Sequence, residues 1–327
     1  MDIKITMNKK VIILDDRYPH YQEETEVFKP LGIKPAIVKS TNPDEIGKIC
    51  ADADGIIVNL APINAKVIAA LNKCKIISRY GVGYDNVDVA EATAKKIWVA
   101  NVSDYCAEDV SDQAFSLFLS CVRKVALRDK QLRAGIWKTQ ADGLQWRIKG
   151  KTFVFFGFGQ IARIFHRKLA GFQLGRVLVF DPFLDESAVH SAGVEKADWE
   201  TALREGDYFS IHMPLNDKTR GMFNEAVFKK MKKTAIVINT SRGPIIDERA
   251  LHKALSERWI NSAGLDVFET EPVKPDNPLL KLDNITVSGH VGWYTEEAQS
   301  ELKRKAAENV RDALSGGKPK YAVNQIG

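Results

Sequence analysis

No run in this chain is apolar enough to span a bilayer, which takes about 20 consecutive apolar residues. Close cysteine pairs are also missing. Cys50, Cys74, Cys106 and Cys121 stand far apart, so neither a disulfide framework nor a metal knuckle is expected. They read as small core residues in a reducing compartment. Repeats and low-complexity segments are absent. So is a charge bias of one sign: 47 Lys and Arg oppose 42 Asp and Glu, for a net charge of +5. The densest basic cluster, Lys229, Lys230, Lys232 and Lys233, reads as a solvated helix end. Met1 to Lys10 lacks the apolar core of a signal peptide. Together these absences predict a cytoplasmic protein with no membrane partner, no nucleic-acid partner and no structural metal.

What remains is the composition of a globular enzyme, with 327 residues, 45% hydrophobic and 27% charged. The length suggests two domains with cores of their own. Short β-rich runs, Val11–Leu14, Ala36–Val38, Gly55–Val58, Lys75–Ser78 and Ile97–Ala100, alternate with helical stretches. A long helical segment follows, about Ala107 to Ala134. A second series of runs begins at Thr152: Thr152–Phe156, Val177–Phe180, Tyr208–His212, Ala235–Asn239, Gly264–Phe268 and Ile285–Ser288. The fold class is therefore α/β, with two doubly wound domains, a flavodoxin-like one and a Rossmann one. A last amphipathic helix, about Thr295 to Leu314, stops at Gly316-Gly317 and is expected to cross back to the first domain. The expected partition is 1–102 with 295–327 against 103–294. A cleft between two such domains is a natural place for a substrate.

The second series opens on Thr152-Phe153-Val154-Phe155-Phe156-Gly157-Phe158-Gly159-Gln160-Ile161-Ala162, a strand, a glycine turn and a helix start. Gly157 allows the tight turn, and Gly159 lets the backbone approach a pyrophosphate at the helix N-terminus. Asp181 follows Ala162 by nineteen residues, at the end of the next apolar run. That is the spacing at which a carboxylate meets the ribose hydroxyls of NAD.

Ligands of doubly wound sheets bind at the carboxyl ends of the strands. Read in order, those ends carry His212-Met213-Pro214, Thr240-Ser241-Arg242-Gly243, Glu269-Thr270-Glu271-Pro272 and Gly289-His290-Val291-Gly292-Trp293. Reduction of a 2-oxo acid needs a cation for the substrate oxygens, a proton donor for the alkoxide and a carboxylate that keeps the donor charged. Arg242 suits the first role, His290 the second, and either Glu269 or Glu271 the third. His212 fits a lining position beside the cofactor better than proton transfer. In the first series, Arg79-Tyr80-Gly81-Val82-Gly83-Tyr84-Asp85-Asn86 follows a strand, and its spaced glycines could expose amides as a nest for a carboxylate.

Taken together, Arg79-x-Gly81-x-Gly83-x-Asp85-Asn86-x-Asp88, Gly157-x-Gly159-x-x-Ala162, Asn239-x-x-Arg242-Gly243, Asp266-Val267-Phe268-Glu269-x-Glu271-Pro272 and Gly289-His290 resemble the NAD-dependent D-2-hydroxyacid dehydrogenases across nearly the whole chain. The resemblance implies a catalytic triad of Arg242, Glu271 and His290, with Val82 and Gly83 amides on the substrate carboxylate and Asp266 orienting the nicotinamide. It implies a homodimer, with the first domain binding substrate and the second binding NAD. The cofactor site is then expected to comprise Gly157, Gly159, Gln160, Ile161, Asp181, His212, Met213, Pro214, Thr240, Ser241, Asp266 and Gly292. Leu60 and Trp293 are expected beside the substrate. Val99-Ala100-Asn101-Val102, Tyr105 to Asp112 and His290 to Tyr294 look closest to the branch of bacterial dehydrogenases similar to C-terminal-binding proteins.

Three departures stand out. Gln113 takes a position where that branch often has histidine. The stretch Gly171 to Arg176 is one residue longer than usual. The loop Asn59 to Ile63 lacks the arginine expected of phosphoglycerate dehydrogenases. The alternatives carried forward are an NAD(H)-sensing corepressor-like protein and a D-3-phosphoglycerate dehydrogenase.

Overall fold

The computed structural model describes residues 9–14, 18–137 and 145–327. The chain forms two compact units, Met1–Cys106 with Thr295–Gly327, and Ala107–Tyr294.

The first unit runs β1 (Val11–Leu14), α1 (Gln22–Phe28), β2 (Ala36–Ile37), α2 (Pro43–Cys50), β3 (Gly55–Val58), α3 (Ala65–Ala70), β4 (Ile76–Arg79), α4 (Val89–Ala94) and β5 (Trp98–Ala100). Its parallel sheet has the flavodoxin-like order β2-β1-β3-β4-β5. Every residue of β1, β3 and β4 is buried, as expected where helices cover both faces. Helix ends follow local chemistry. Asn42 caps α2 by accepting from the Asp44 amide, with Pro43 in the first turn, and Asn64 caps α3 through the Val67 amide.

The second unit runs α5 (Ala107–Arg123), α6 (Val125–Arg133), β6 (Thr152–Phe156), α7 (Gln160–Lys168), β7 (Arg176–Phe180), α8 (Glu186–Ser191), β8 (Glu195–Lys196), α9 (Trp199–Glu205), β9 (Tyr208–Ile211), α10 (Glu225–Phe228), β10 (Ile236–Asn239), α11 (Glu248–Ser256), β11 (Ser262–Leu265) and β12 (Ile285–Val287). Its parallel sheet is ordered β12-β11-β10-β9-β6-β7-β8. Central β6 serves two cores. Phe153 and Phe155 pack on one face with Phe118 and Phe165, and Val154 and Phe156 on the other with Phe209 and Phe223. That explains its unbroken aromatic run.

The last helix, α12 (Glu296–Leu314), starts at a Thr295 cap and returns to the first unit. Ser78 Oγ donates to Ala306 O at 2.9 Å, and Asn309 Nδ2 donates to Asn101 O at 2.9 Å.

Three expectations need correction. The segment 107–134 is two helices, because Lys124 adopts a left-handed φ of 54° and breaks the first. The run expected as Gly264–Phe268 pairs as Ser262–Leu265, and its last two residues, Val267 and Phe268, are buried without strand pairing. Strand β8 was not anticipated, since two exposed polar residues give no hydrophobic signal. All four cysteines are buried free thiols, and burial pushes Cys50, Cys74 and Cys121 up to about 12. No helix among the described residues is long and apolar enough to cross a membrane.

Candidate active site

At the end of β6 the chain turns through Gly157 at φ +83°. A Cβ there would lie 2.9 Å from His212 O, so the turn requires glycine. Gly159 precedes α7 with no side-chain cap, which leaves the first-turn amides, including Gln160 and Ile161, to an incoming anion at the positive end of the helix. Asp181 sits beside this turn. Its Oδ2 accepts from the Phe158 amide and its Oδ1 from the Phe183 amide, both at 3.0 Å. The longer Gly171–Arg176 stretch does not disturb this register. Gln173 absorbs it in a left-handed turn at φ 54°, and Phe156 still pairs with Phe180.

Further along the rim, Met213 is buried and Pro214 exposed. His212 Nε2 lies 2.8 Å from Ser210 Oγ, and burial pushes the His212 imidazole down to about 3, so this ring is neutral and no proton donor. Thr240 Oγ1 is buried with no partner among the described residues. The Ser241 amide and hydroxyl both donate to Asn239 Oδ1, at 3.0 and 2.8 Å. An open glycine turn, an uncapped helix start, a fixed carboxylate and a waiting hydroxyl are the fittings a dinucleotide needs.

The ionisable groups converge at the neighbouring strand ends. His290 Nδ1 donates to Glu271 Oε2 at 2.6 Å, which leaves Nε2 as the atom for proton transfer. Glu271 Oε1 accepts from the Phe268 amide at 3.0 Å. Burial opposes charge on Glu271, but the His290 contact, the Phe268 amide and the Arg242 charge outweigh it, and the carboxyl lies below its ordinary range. Glu269 faces elsewhere. Its Oε1 accepts from the Glu248 amide at 3.0 Å, at the start of α11. The backbone of Arg242 is extended, at φ −142°, and Arg242 Nη1 donates to Ser241 O at 2.8 Å.

Sequence reasoning missed how His290 is held. It is His290 itself, not Gly289, that takes the left-handed φ, at 56°. Buried Asp266 imposes this geometry. Its carbonyl accepts from the His290 amide at 2.6 Å, its Oδ1 from the Val291 amide at 3.0 Å and Ser288 Oγ at 2.6 Å, and its Oδ2 from the Gly292 amide at 2.8 Å. Gln113 Nε2 braces Ser288 Oγ at 2.7 Å. The carboxylate expected to orient a nicotinamide thus also holds the histidine loop, through both of its oxygens. A buried acid two residues before Phe268 was the signal available. Trp293 is half-buried, with its ring edge-on to Tyr294.

In the first unit, Gly81 has φ +132°, and a Cβ there would fall 1.7 Å from Arg79 Nη1, so the guanidinium occupies the space that glycine leaves. The carbonyls of the loop are tied down. Gly81 O accepts from the Val102 amide at 2.9 Å and Val82 O from Asn101 Nδ2 at 2.7 Å. Asn86 Nδ2 reaches Asn59 O and Ala61 O, at 3.0 and 2.8 Å, and so fixes the loop that carries exposed Leu60. Gly83 is half-buried.

Comparison with known proteins identifies the family. The family profile described as D-isomer specific 2-hydroxyacid dehydrogenase, NAD binding domain, matches residues 115–292. A glyoxylate reductase of Korarchaeum cryptofilum is 39% identical, over 84% of this chain and 83% of that protein. A D-3-phosphoglycerate dehydrogenase of Methanocaldococcus jannaschii is 34% identical over 96% of this chain, which spans 59% of that longer protein. The crystal structure of a glyoxylate reductase from Paecilomyes thermophila superposes with a TM-score of 0.87 at 26% identity, covering 96% of this chain and 98% of that one. The chain belongs to the D-isomer specific 2-hydroxyacid dehydrogenase family and is an NAD-dependent enzyme that interconverts 2-oxo acids and 2-hydroxy acids.

Proposed function

We propose that Arg242, Glu271 and His290 carry the chemistry and that the substrate is a small 2-oxo acid with an uncharged side chain. The observation that carries this reading is the 2.6 Å hydrogen bond between His290 Nδ1 and Glu271 Oε2. When bound, the nicotinamide supplies the hydride. The protein manages the rest of the charge. In reduction, Nε2 of the His290 imidazolium releases its proton to the alkoxide oxygen and the ring becomes neutral. Glu271 stabilises the cation before transfer and fixes the tautomer after it. Arg242 holds the substrate oxygens through its planar fork. Oxidation runs the same steps in reverse.

The Val82 and Gly83 amides are assigned to the substrate carboxylate, and Leu60 and Trp293 to its side chain. The absence of an arginine in Asn59 to Ile63 supports an unphosphorylated substrate, because a buried phosphate without a partner is costly. The glyoxylate reductase names of several relatives support glyoxylate as one such substrate. The cofactor set is assigned as Gly157, Gly159, Gln160, Ile161, Asp181, His212, Met213, Pro214, Thr240, Ser241, Asp266 and Gly292. Phe183, 96% exposed beside Asp181, joins them as an apolar face for the adenosine. A cytoplasmic homodimer and the C-terminal-binding-protein-like branch complete the reading. The branch rests on the motifs Val99 to Val102, Tyr105 to Asp112 and His290 to Tyr294 alone.

The test is NADH oxidation with glyoxylate, pyruvate, longer apolar 2-oxo acids and phosphohydroxypyruvate, with the chirality of the product determined. Turnover of glyoxylate or an apolar 2-oxo acid to a D-configured product, where one exists, is expected. A highest kcat/KM for phosphohydroxypyruvate would reverse the substrate assignment. Tight NADH binding without turnover of any of them would favour the sensor.

A further inference from the structure

Beneath the Arg79–Gly83 segment lies a buried charged cluster that the chemistry above does not use. Lys303 of α12 is 0% exposed, and so is Glu24 of α1. Lys303 Nζ lies 2.5 Å from Glu23 Oε2, 2.8 Å from His20 O, 3.3 Å from His20 Nδ1 and 3.8 Å from Glu24 Oε2. It also faces the rings of Tyr18 and Tyr21, at 5.4 and 5.7 Å from their centroids. Glu24 Oε1 accepts from the Tyr80 hydroxyl at 2.6 Å, and Tyr80 packs edge-on against Tyr18 at 5.5 Å.

Withdrawing an ammonium and a carboxylate from water is expensive, and apolar side chains would join two helices as well. What the cluster adds is a fixed position. Its place is telling. In the order β2-β1-β3-β4-β5, the connections from β1 and β3 leave in opposite directions, and the ends of those strands frame a ligand crevice. Lys303 pins His20 and Glu23 at the start of α1, and Glu24 passes that restraint to Tyr80, the residue immediately before Gly81. The Tyr80 amide still pairs with Val58 O at 2.8 Å, so this residue is both the end of the strand ladder and the start of the loop. Burial pushes the Glu24 carboxyl up, against the pull of Tyr80 and Lys303, so the carboxylate depends on these partners.

We propose that the Lys303–Glu24–Tyr80 chain is a positioning device for the Gly81–Gly83 loop, with Tyr80 and Glu24 as positioning residues for recognition of the substrate carboxylate. The proposal rests on the reading of that loop as the carboxylate site. Together with Asn101 and Val102 on the loop carbonyls, the Tyr80 anchor sets where the amides point.

The test compares Tyr80→Phe, Glu24→Gln and Val82→Pro in the full-length enzyme with glyoxylate. Tyr80→Phe removes one hydroxyl and should raise the KM for glyoxylate about tenfold, with kcat within about twofold. The dissociation constant for NADH, read by fluorescence, should stay near wild type, whereas the Tm should fall, because the buried Glu24 carboxylate loses its hydroxyl donor. Glu24→Gln keeps an oxygen for the hydroxyl and should fall between wild type and Tyr80→Phe. A wild-type KM in Tyr80→Phe overturns the proposal, and so does a parallel rise in both the KM and the NADH dissociation constant. Val82→Pro deletes a loop amide. If its KM for glyoxylate is unchanged, the carboxylate reading falls and the proposal with it. If Val82→Pro raises KM and Tyr80→Phe does not, the positioning role alone is rejected.

Discussion

His290 pays for its place. A left-handed backbone costs a non-glycine residue roughly 1–2 kcal/mol, and four hydrogen bonds accepted by Asp266 hold the loop against that cost. The strain aims the ring at Glu271. Glu271→Gln should therefore lower kcat about a hundredfold, the lower end of what a general acid–base pair supplies, and should end reductive activity at a lower pH than in wild type. An unchanged profile would identify another partner. The same residue has a stability signature. The Glu271 carboxyl is lowered from 4.5 in the fold, so as pH falls below that value the unfolded chain takes up the proton first. The stability Glu271 contributes is present above 4.5 and is lost as pH falls through its lowered value. Denaturation at a series of acidic pH values should show a shallower acid loss in Glu271→Gln. Asp181 gives a second test at this scale. Both its oxygens are fixed by amides beside the glycine turn, where a 2′-phosphate would meet a held carboxylate. Wild type should prefer NADH over NADPH by kcat/KM, and Asp181→Ala should narrow the ratio. Equal use of both cofactors by wild type would remove Asp181 from the ribose.

Among elements, α12 shows what buried polar groups do for a returning helix. Asn309 is 1% exposed, donates to Asn101 O at 2.9 Å and accepts from the Tyr321 amide at 3.4 Å. Asn309→Ala would orphan both partners and should cost about 2 kcal/mol, read as a lower urea midpoint with an unchanged m-value. A loss under about 0.5 kcal/mol would mean that water replaces the amide. The helix and its return were legible because an apolar stripe, a Thr cap and terminal glycines mark it. The glycine turn and Asp181 were legible for a similar reason, since each needs a residue type at a fixed spacing. What escaped was geometry without a compositional mark. Lys124 and His290 take left-handed angles that glycine or asparagine would have advertised. Strand β11 ends at Leu265 although the apolar run continues, because burial follows packing while pairing follows hydrogen bonds. Glu269 and Glu271 stand two residues apart with similar chemistry, so spacing alone leaves both open; in the fold Glu271 meets His290 while Glu269 turns to the Glu248 amide.

For the molecule as a whole, α6 raises the question of a partner. Its nine residues include no buried side chain. Helices shorter than about 12 residues are marginal in water unless a face is packed. Yet Val125 and Leu132 are 56% and 57% exposed, and Ile136 and Trp137, just beyond the helix, are 42% and 87% exposed. Exposed apolar groups along one short segment are suited to an association surface, and a stable dimer needs about 800 Å² from each partner, more than these four side chains supply alone. They would form the centre of an interface that a second copy of the chain completes, which is the homodimer proposed above. Leu132→Glu combined with Trp137→Glu places two charges at that centre, where burying them unpaired is costly. Light scattering after size exclusion should give twice the chain mass for wild type and the single mass for the double variant. A wild-type monomer would reject the dimer outright. A double variant that stays dimeric would move the interface away from α6.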